Sequence, residues 1–239
     1  MFDNLGQVIV NETNLLFEDK PHYFKGLMNK EIEHIASWKT IEECINNPQF
    51  YNYEIVGKDS MKKDIPCSQK SWVTDKLVQD KRYVANCVKD GDTLIITNYG
   101  FNNNTVNHLL GTIENIFDVN AAAHLYCGKA KGTKSFNIHE DYPANFICQI
   151  EGKTIWKVFN NRISYLYKTG TMNNQLTEDM LDTAIDVVLE PGDVLYIPSR
   201  AYHVAVPKDE QRISLSIPCW NRFPTDPIDN SVDRNYYTI

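Results

Sequence analysis

The chain has 239 residues, 42% of them hydrophobic and 23% charged, a composition that excludes wholesale disorder and a length that supports one large domain without disulfide staples. Its formal net charge is −7, with 12 Lys+Arg against 17 Asp+Glu in residues 1–120 and 12 against 14 in residues 121–239, so neither half has the basic field of a general nucleic-acid binder. The longest apolar runs, such as residues 8–10 and 94–96, fall far short of the roughly 20 residues that cross a bilayer, and the opening MFDNLGQVIVNETN has neither the basic nor the apolar region of a signal peptide.

In chain order, Thr40-Ile41-Glu42-Glu43 has capping-box spacing and opens a short helix that Asn46-Asn47-Pro48 closes. FYNYEIV, residues 50–56, is rich in β-formers and predicts a strand. Residues 81–88 predict a helix stopped by Asp90-Gly91, followed by a short buried strand, TLIIT. The clearest helix is 104–117: its apolar positions 106, 109, 110, 113, 116 and 117 form one stripe, with Asn104 or Thr105 as the cap and His108 on the polar side.

From Ala121 onward short strand-like runs follow one another: AAAHLYC, SFNIHED, NFICQI, KTIWKVF, RISYLY, AIDVVLE, DVLYIP, YHVAV and RISLSIPCW. Glu151-Gly152 and Pro191-Gly192-Asp193 are turn signals between them, and residues 177–181 predict a helical insert. Such a density of strands predicts a sandwich or barrel. No Gly/Ser/Pro-rich linker, internal repeat or low-complexity segment interrupts the chain. Cysteines 44, 67, 87, 127, 148 and 219 form no CxxC pair and several sit in apolar runs, which predicts a reduced, intracellular, cytoplasmic protein with free thiols. Lys129, Lys131 and Lys134 are the nearest approach to a basic patch and read as a solvated loop.

Three residues carry chemistry. His139 and Asp141 stand at i and i+2, on one face of a predicted strand, and His203 follows 62 residues later, after a Pro-Gly-Asp turn and a strand. Two imidazoles and a carboxylate can form the facial triad of a non-haem Fe(II) site. From spacing alone a strand-end His–Asp pair with an unrelated surface histidine is the alternative. Alternation turns Glu140 away from its neighbours, toward solvent.

Residues 92–220 resemble the JmjC-type branch of the cupin-fold 2-oxoglutarate oxygenases, in particular its ribosomal-oxygenase-like and asparaginyl-hydroxylase-like members. The resemblance rests on DTLIITNYGFNNNTVNHLLGTIENIF, on HEDYPANFICQIEGKTIWKVF with its HxD and hairpin, on LEPGDVLYIPSRAYHVAV with its second histidine, and on the closing RISLSIPCW. It implies a mainly β fold with flanking helices: a double-stranded β-helix (cupin or jelly-roll) barrel over 92–222. Residues 1–91 would form an α+β extension packed on it and 223–239 a tail. It implies His139, Asp141 and His203 as ligands of Fe(II), with 2-oxoglutarate and O2 as co-substrates.

Parity puts Asn145, Ile147 and Gln149 on the inward face of the strand after the HxD. The resemblance implies that Asn145 contacts 2-oxoglutarate. Many JmjC-type proteins carry Lys or Arg fifteen residues after the first histidine; here Thr154 stands there, a departure, and Lys153 and Lys157 have outward parity. Arg212, nine residues after His203, matches the arginine of prolyl-hydroxylase-like oxygenases, and a guanidinium fork suits a carboxylate. Arg212 with Thr154 is therefore the expected anchor. Trp220 matches a tryptophan that lines the pocket in asparaginyl hydroxylases. Tyr126 and His124 lie on the strand before the HxD, from which one of them can reach the pocket, with a core or hydrogen-bonded framework role as the favoured alternative, and Trp156 reads as core.

The implied reaction is hydroxylation of a substrate C–H bond, on a protein or peptide side chain first and on a small molecule second; the charge argues against nucleic acid. The oligomeric state is not readable from the residues: relatives that dimerise leave a homodimer open, and the tail that carries Tyr236-Tyr237 can dock on a partner or fold back on the body. Two rivals stand beside this reading: a metal-binding cupin with non-2-oxoglutarate chemistry, which Thr154 favours, and a non-enzymatic JmjC-like interaction protein, which the intact triad disfavours.

Overall fold

The computed structural model describes residues 20–28, 32–69, 77–131, 135–162 and 176–221. The expected tail at 223–239, Lys134 and most of the expected strand RISYLY lie outside these residues.

The described residues form three α-helices: α1 (Trp38–Asn46), α2 (Lys81–Lys89) and α3 (Asn104–Phe117). α1 starts before the expected box, because Ser37 has extended backbone angles and its Oγ accepts the Thr40 N–H at 3.3 Å. α2 is capped by Asp80, which accepts the N–H groups of Arg82 and Tyr83. In α3 the cap is Asn103, whose Oδ1 takes the Val106 N–H at 3.0 Å, and the buried stripe is Val106, Leu109, Leu110, Ile113 and Phe117. Ile116, at the edge of that stripe, is 37% exposed. Residues 178–180 form the expected insert as one 3-10 turn.

Fourteen strands are formed by the described residues. The N-terminal region gives β1 (His22–Phe24), β2 (Asn52–Val56), β3 (Lys62–Lys63), β4 (Cys67–Gln69) and β5 (Leu77–Gln79). Then come β6 (Thr93–Thr97), β7 (Val119–Ala121), β8 (His124–Gly128), β9 (Ala144–Glu151) and β10 (Thr154–Arg162). β11 (Thr183–Leu189), β12 (Val194–Ile197), β13 (Ala201–Pro207) and β14 (Arg212–Asn221) complete the set. The described strands pair antiparallel into a large sheet in the order β1-β12-β9-β14-β8-β6-β2-β3, with β7 also on β14, and a small sheet β11-β10-β13 that faces it. The third sheet is the β4–β5 hairpin.

The large sheet is covered on both faces, which is why β9 (ANFICQIE) is buried nearly throughout instead of alternating. Phe146, Cys148 and Ile150 on its outer face share a core with Leu109 and Ile113 of α3, Ile41 of α1 and Val84 of α2. On the inner face Ile147, Leu195 and Ile197 meet Trp156, Val158 and Leu189 of the small sheet, and this interior is the barrel. β2 pairs with β6 and β1 with β12, so strands of the first 91 residues extend the barrel sheet at both edges. The Pro191-Gly192-Asp193 turn is fixed by Asp193, which is 2% exposed and accepts from Tyr23 Oη, Gly26 N–H and Glu190 N–H.

Two expectations fail on physical grounds. SFNIHED is not a strand: residues 135–138 bend, and only His139 makes a bridge, to His203, because the next carbonyl that could extend the ladder, that of Asp141, is taken by the Arg200 N–H. Glu140 does not face solvent. It is 2% exposed and ion-paired to Arg200, itself fully buried. All six cysteines are free and five are buried, Cys67 being the exposed one. No helix among the described residues is long and apolar enough to cross a membrane.

Candidate active site

The open end of the barrel brings His139, Asp141 and His203 together: one ligand atom from each lies within 4.8 Å of the other two. His139 comes from the bent segment before β9 and His203 from β13, locked by reciprocal backbone bonds of 3.1 and 2.8 Å. Their rings lie 4.3 Å apart, centroid to centroid, and His203 Nε2 is 3.6 Å from Asp141 Oδ2. Each imidazole is tied through Nδ1, His139 to the Asn137 carbonyl at 2.8 Å and His203 to the Ala201 carbonyl at 2.9 Å. With Nδ1 as donor, both Nε2 lone pairs are left for an external partner, as in histidines that bind a metal through Nε2 while a carbonyl holds the other nitrogen. Burial, and then the neighbouring His139, push the His203 pKa down to about 4, so its ring is neutral at pH 7 and able to ligate. Two imidazole nitrogens and one carboxylate oxygen are a donor set that fits a divalent iron-group metal.

Behind this triad lies a cavity of about 50 Å³, partly open to solvent, walled by Tyr126, Asn145, Trp156, Arg212, Ser214 and Ser216 among others. The wall is a polar ladder: Ser216 Oγ donates to Asn145 Oδ1 and Ser214 Oγ to Gln149 Oε1, both at 2.9 Å. Gln149 is held further by its own bonds to the carbonyls of Glu151 and Gly152. Arg212, on the same face of β14, is 3% exposed. Its Nη2 donates to Ser135 Oγ and Thr93 Oγ1, and among the described residues no carboxylate pairs with it. Burial lowers its pKa to about 10. A buried cation facing only hydroxyls is costly unless an anion joins it.

Three buried polar atoms here have no hydrogen-bond partner: Arg212 Nε, Trp156 Nε1 and Thr154 Oγ1. Trp156 lines the cavity, and Thr154 lies one strand repeat deeper on the same face of β10, fully buried but not on the cavity wall. The orphaned donors fit an anionic guest with several acceptor oxygens, such as a dicarboxylate.

Asn145, Tyr126 and Arg212 thus surround the cavity with the triad, while Trp220 and His124 line only the wider cleft outside it. His124 Nδ1 accepts the Asn98 N–H at 3.3 Å. Lys153 and Lys157 point outward to Glu190 and Glu178, and Lys129 sits over the Trp38 ring at 4.4 Å rather than in bare solvent. Sequence reasoning missed Ser214 and Ser216, although their parity with Arg212 was available, and it missed Arg200, for which no local signal exists.

A two-sheet antiparallel barrel with an HxD and a distant histidine at its mouth is a cupin-type barrel with a candidate metal site. Residues 97–224, more than half of the chain, match the JmjC domain family, and the protein belongs to it. Among its relatives, the Dictyostelium discoideum protein named bifunctional lysine-specific demethylase and histidyl-hydroxylase NO66 is 29% identical over 131 residues, 54% of this chain and 25% of that one. Gallus gallus ribosomal oxygenase 1 is 35% identical over 102 residues, 42% of this chain and 17% of that one. The match therefore spans a quarter or less of these relatives' length. Among solved structures, the Escherichia coli ribosomal oxygenase YcfD aligns over 90% of this chain and 52% of its own with a TM-score of 0.59 and 16% identity. The same protein in complex with cobalt and 2-oxoglutarate aligns over 91% and 54% with a TM-score of 0.57 and 15% identity. At such identity the likeness establishes the fold.

Proposed function

We propose that the protein is an Fe(II)- and 2-oxoglutarate-dependent oxygenase that hydroxylates a C–H bond, with a protein or peptide side chain as its substrate. One observation carries the reading: a triad of metal-ligating atoms stands at the mouth of a cavity walled by a buried guanidinium with which no carboxylate pairs among the described residues. The names of the relatives agree with it, since they include a ribosomal oxygenase and a histidyl-hydroxylase, and the E. coli neighbour was solved with cobalt and 2-oxoglutarate.

In this reading His139, Asp141 and His203 hold the metal. The metal and 2-oxoglutarate together supply the oxidising chemistry that O2 alone cannot perform on a C–H bond. The chain's own residues do the rest. Arg212 receives the distal carboxylate of the co-substrate, and the deeper Thr154 hydroxyl supports that end. The Asn145 amide, oriented by Ser216, donates toward the metal-proximal carboxylate. Trp156 and Ile147 wall the cavity with apolar surface that excludes water. Residues 92–222 are the catalytic barrel. Residues 1–91 help shape the entrance, where Glu54 and Lys62 line the cleft with Trp220 and Tyr142; that cleft receives the substrate.

Anaerobic addition of Fe(II) and then 2-oxoglutarate tests the reading. The expected result is a broad visible charge-transfer absorption that Asp141→Ala abolishes and Arg212→Met shifts to much higher co-substrate concentration. Iron bound with no such band would instead support the non-2-oxoglutarate cupin reading that Thr154 favours.

A further inference from the structure

The segment that carries two of the three ligand atoms is not a strand, so its conformation must be set by something other than a ladder. Five bonds from the turn at residues 199–203 do this. His139 and His203 exchange backbone bonds, and the Arg200 N–H donates to the Asp141 carbonyl at 2.9 Å. Ser199 Oγ donates to the Tyr142 carbonyl. The fifth is between side chains: Arg200 Nη1 reaches Glu140 Oε1 and Oε2 at 3.0 and 3.2 Å, both side chains fully buried, with the guanidinium 4.9 Å above the Tyr142 ring.

Glu140 sits between His139 and Asp141 and faces away from them, so its anchorage decides how the segment is rotated about its own axis. If that rotation slips, Asp141 swings out of the triad. At the other end, Arg200 has a left-handed backbone (φ 63°) and immediately precedes Ala201, whose carbonyl fixes the His203 ring. A non-glycine residue holds such a φ only where its surroundings enforce it. The Glu140 carboxylate supplies that constraint.

We propose that the Glu140–Arg200 pair is a positioning device for the metal centre: a buried strut behind the ligands that sets the Asp141 carboxylate and the His203 ring at once. Neither residue belongs to the ligand set, and both side chains are buried away from it. The inference rests on the triad's being a metal site, and its test separates the two. Co(II) binding to the purified full chain is followed by isothermal titration and by the visible d–d spectrum, with the metal-free melting temperature measured in parallel.

Glu140→Ala is expected to weaken Co(II) binding by roughly 10- to 100-fold, the range seen when outer-sphere supports of metal ligands are removed, and to alter the d–d spectrum. Since Glu140→Ala also leaves a buried guanidinium alone and can unfold the chain, the decisive variant is Glu140→Met with Arg200→Met. An apolar pair of similar volume commonly preserves or raises stability. The expected result is a melting temperature at or above wild type with Co(II) affinity still reduced at least tenfold, and partial recovery in Glu140→Gln with Arg200→Gln, where a side-chain hydrogen bond can re-form. Wild-type affinity and spectrum in a folded Met/Met variant overturn the proposal and leave the metal site intact. Failure of the wild type to bind Co(II), with no change in its spectrum, overturns the site itself.

Discussion

Arg212 makes a prediction of unusual sign: replacing it should spare or stabilise the ligand-free protein and cripple co-substrate binding. The guanidinium is 3% exposed and its pKa falls from 12.5 to about 10, with desolvation the main cause. A shift of that size corresponds to about 3 kcal/mol by which burial disfavours the charged native form. The sign follows from linkage. The native state binds this proton less tightly than the unfolded chain, so the cost is present in full at pH 7 and declines only as pH climbs from about 10 toward the ordinary guanidinium range. Arg212→Met removes the cost and keeps most of the volume, but leaves Ser135 and Thr93 with only a 3.5 Å contact to each other, offsetting about 2 kcal/mol. The net is about 1 kcal/mol in favour of the variant, a rise of roughly 2–4 °C for a chain of this size. Losing one member of a buried carboxylate–guanidinium pair costs about 2–5 kcal/mol in binding, which is roughly 30-fold to several thousand-fold in Kd. Thermal melts with and without 2-oxoglutarate, in the presence of Mn(II) and without O2, read both quantities together. A variant that melts well below wild type while keeping the co-substrate-induced shift would refute the reasoning, because Arg212 would then be a structural cation.

Thr154→Val deletes a fully buried hydroxyl that has no partner; the ligand-free chain should melt at or above wild type, while the Kd for 2-oxoglutarate, measured by titration calorimetry, rises several-fold, and an unchanged Kd would remove Thr154 from the anchor. Gly152→Ala places a Cβ 1.9 Å from the Gln211 carbonyl oxygen at a backbone φ of +68°, so the β9–β10 turn cannot close unchanged, and a loss of more than ~3 kcal/mol or failure to accumulate folded protein is expected from denaturant melts. Asn145→Asp puts a carboxylate opposite the co-substrate's own and should weaken 2-oxoglutarate binding more than Asn145→Ala does, with Co(II) affinity within a few-fold of wild type as the control.

Most of the barrel was legible because its strands are short, apolar and separated by turns whose chemistry is local. β6, β9, β12, β13 and β14 stand within one residue of their expected bounds, and the outward parity of Lys153 and Lys157 follows from alternation alone. Parity also located Asn145 on the cavity wall. Parity did not fix depth with equal success: Thr154 has the right face but stands one repeat behind the cavity wall, placed to support the guest's far end only, and Trp220 lines only the wider cleft. Depth along a barrel depends on strand stagger, which a single sequence does not encode locally.

Glu140 shows where alternation misleads for a deeper reason. Alternation correctly turned it away from His139 and Asp141, and the inference that away meant solvent assumed a sheet with one wet face. Here the ligand segment is not a strand, and the space behind it is filled by Arg200, 60 residues later in the chain. A buried ion pair has no signature in either residue's neighbourhood, because each charge looks like a surface charge until the fold brings its partner. The same logic marks Arg212 as different. Its neighbours on β14 are apolar or small, and among the described residues nothing folded against it supplies an acid. Of the two arginines buried among the described residues of this barrel, one has its carboxylate built in and stiffens the site. The other is left for a carboxylate that must come from outside, and that asymmetry is what distinguishes a strut from a binding residue.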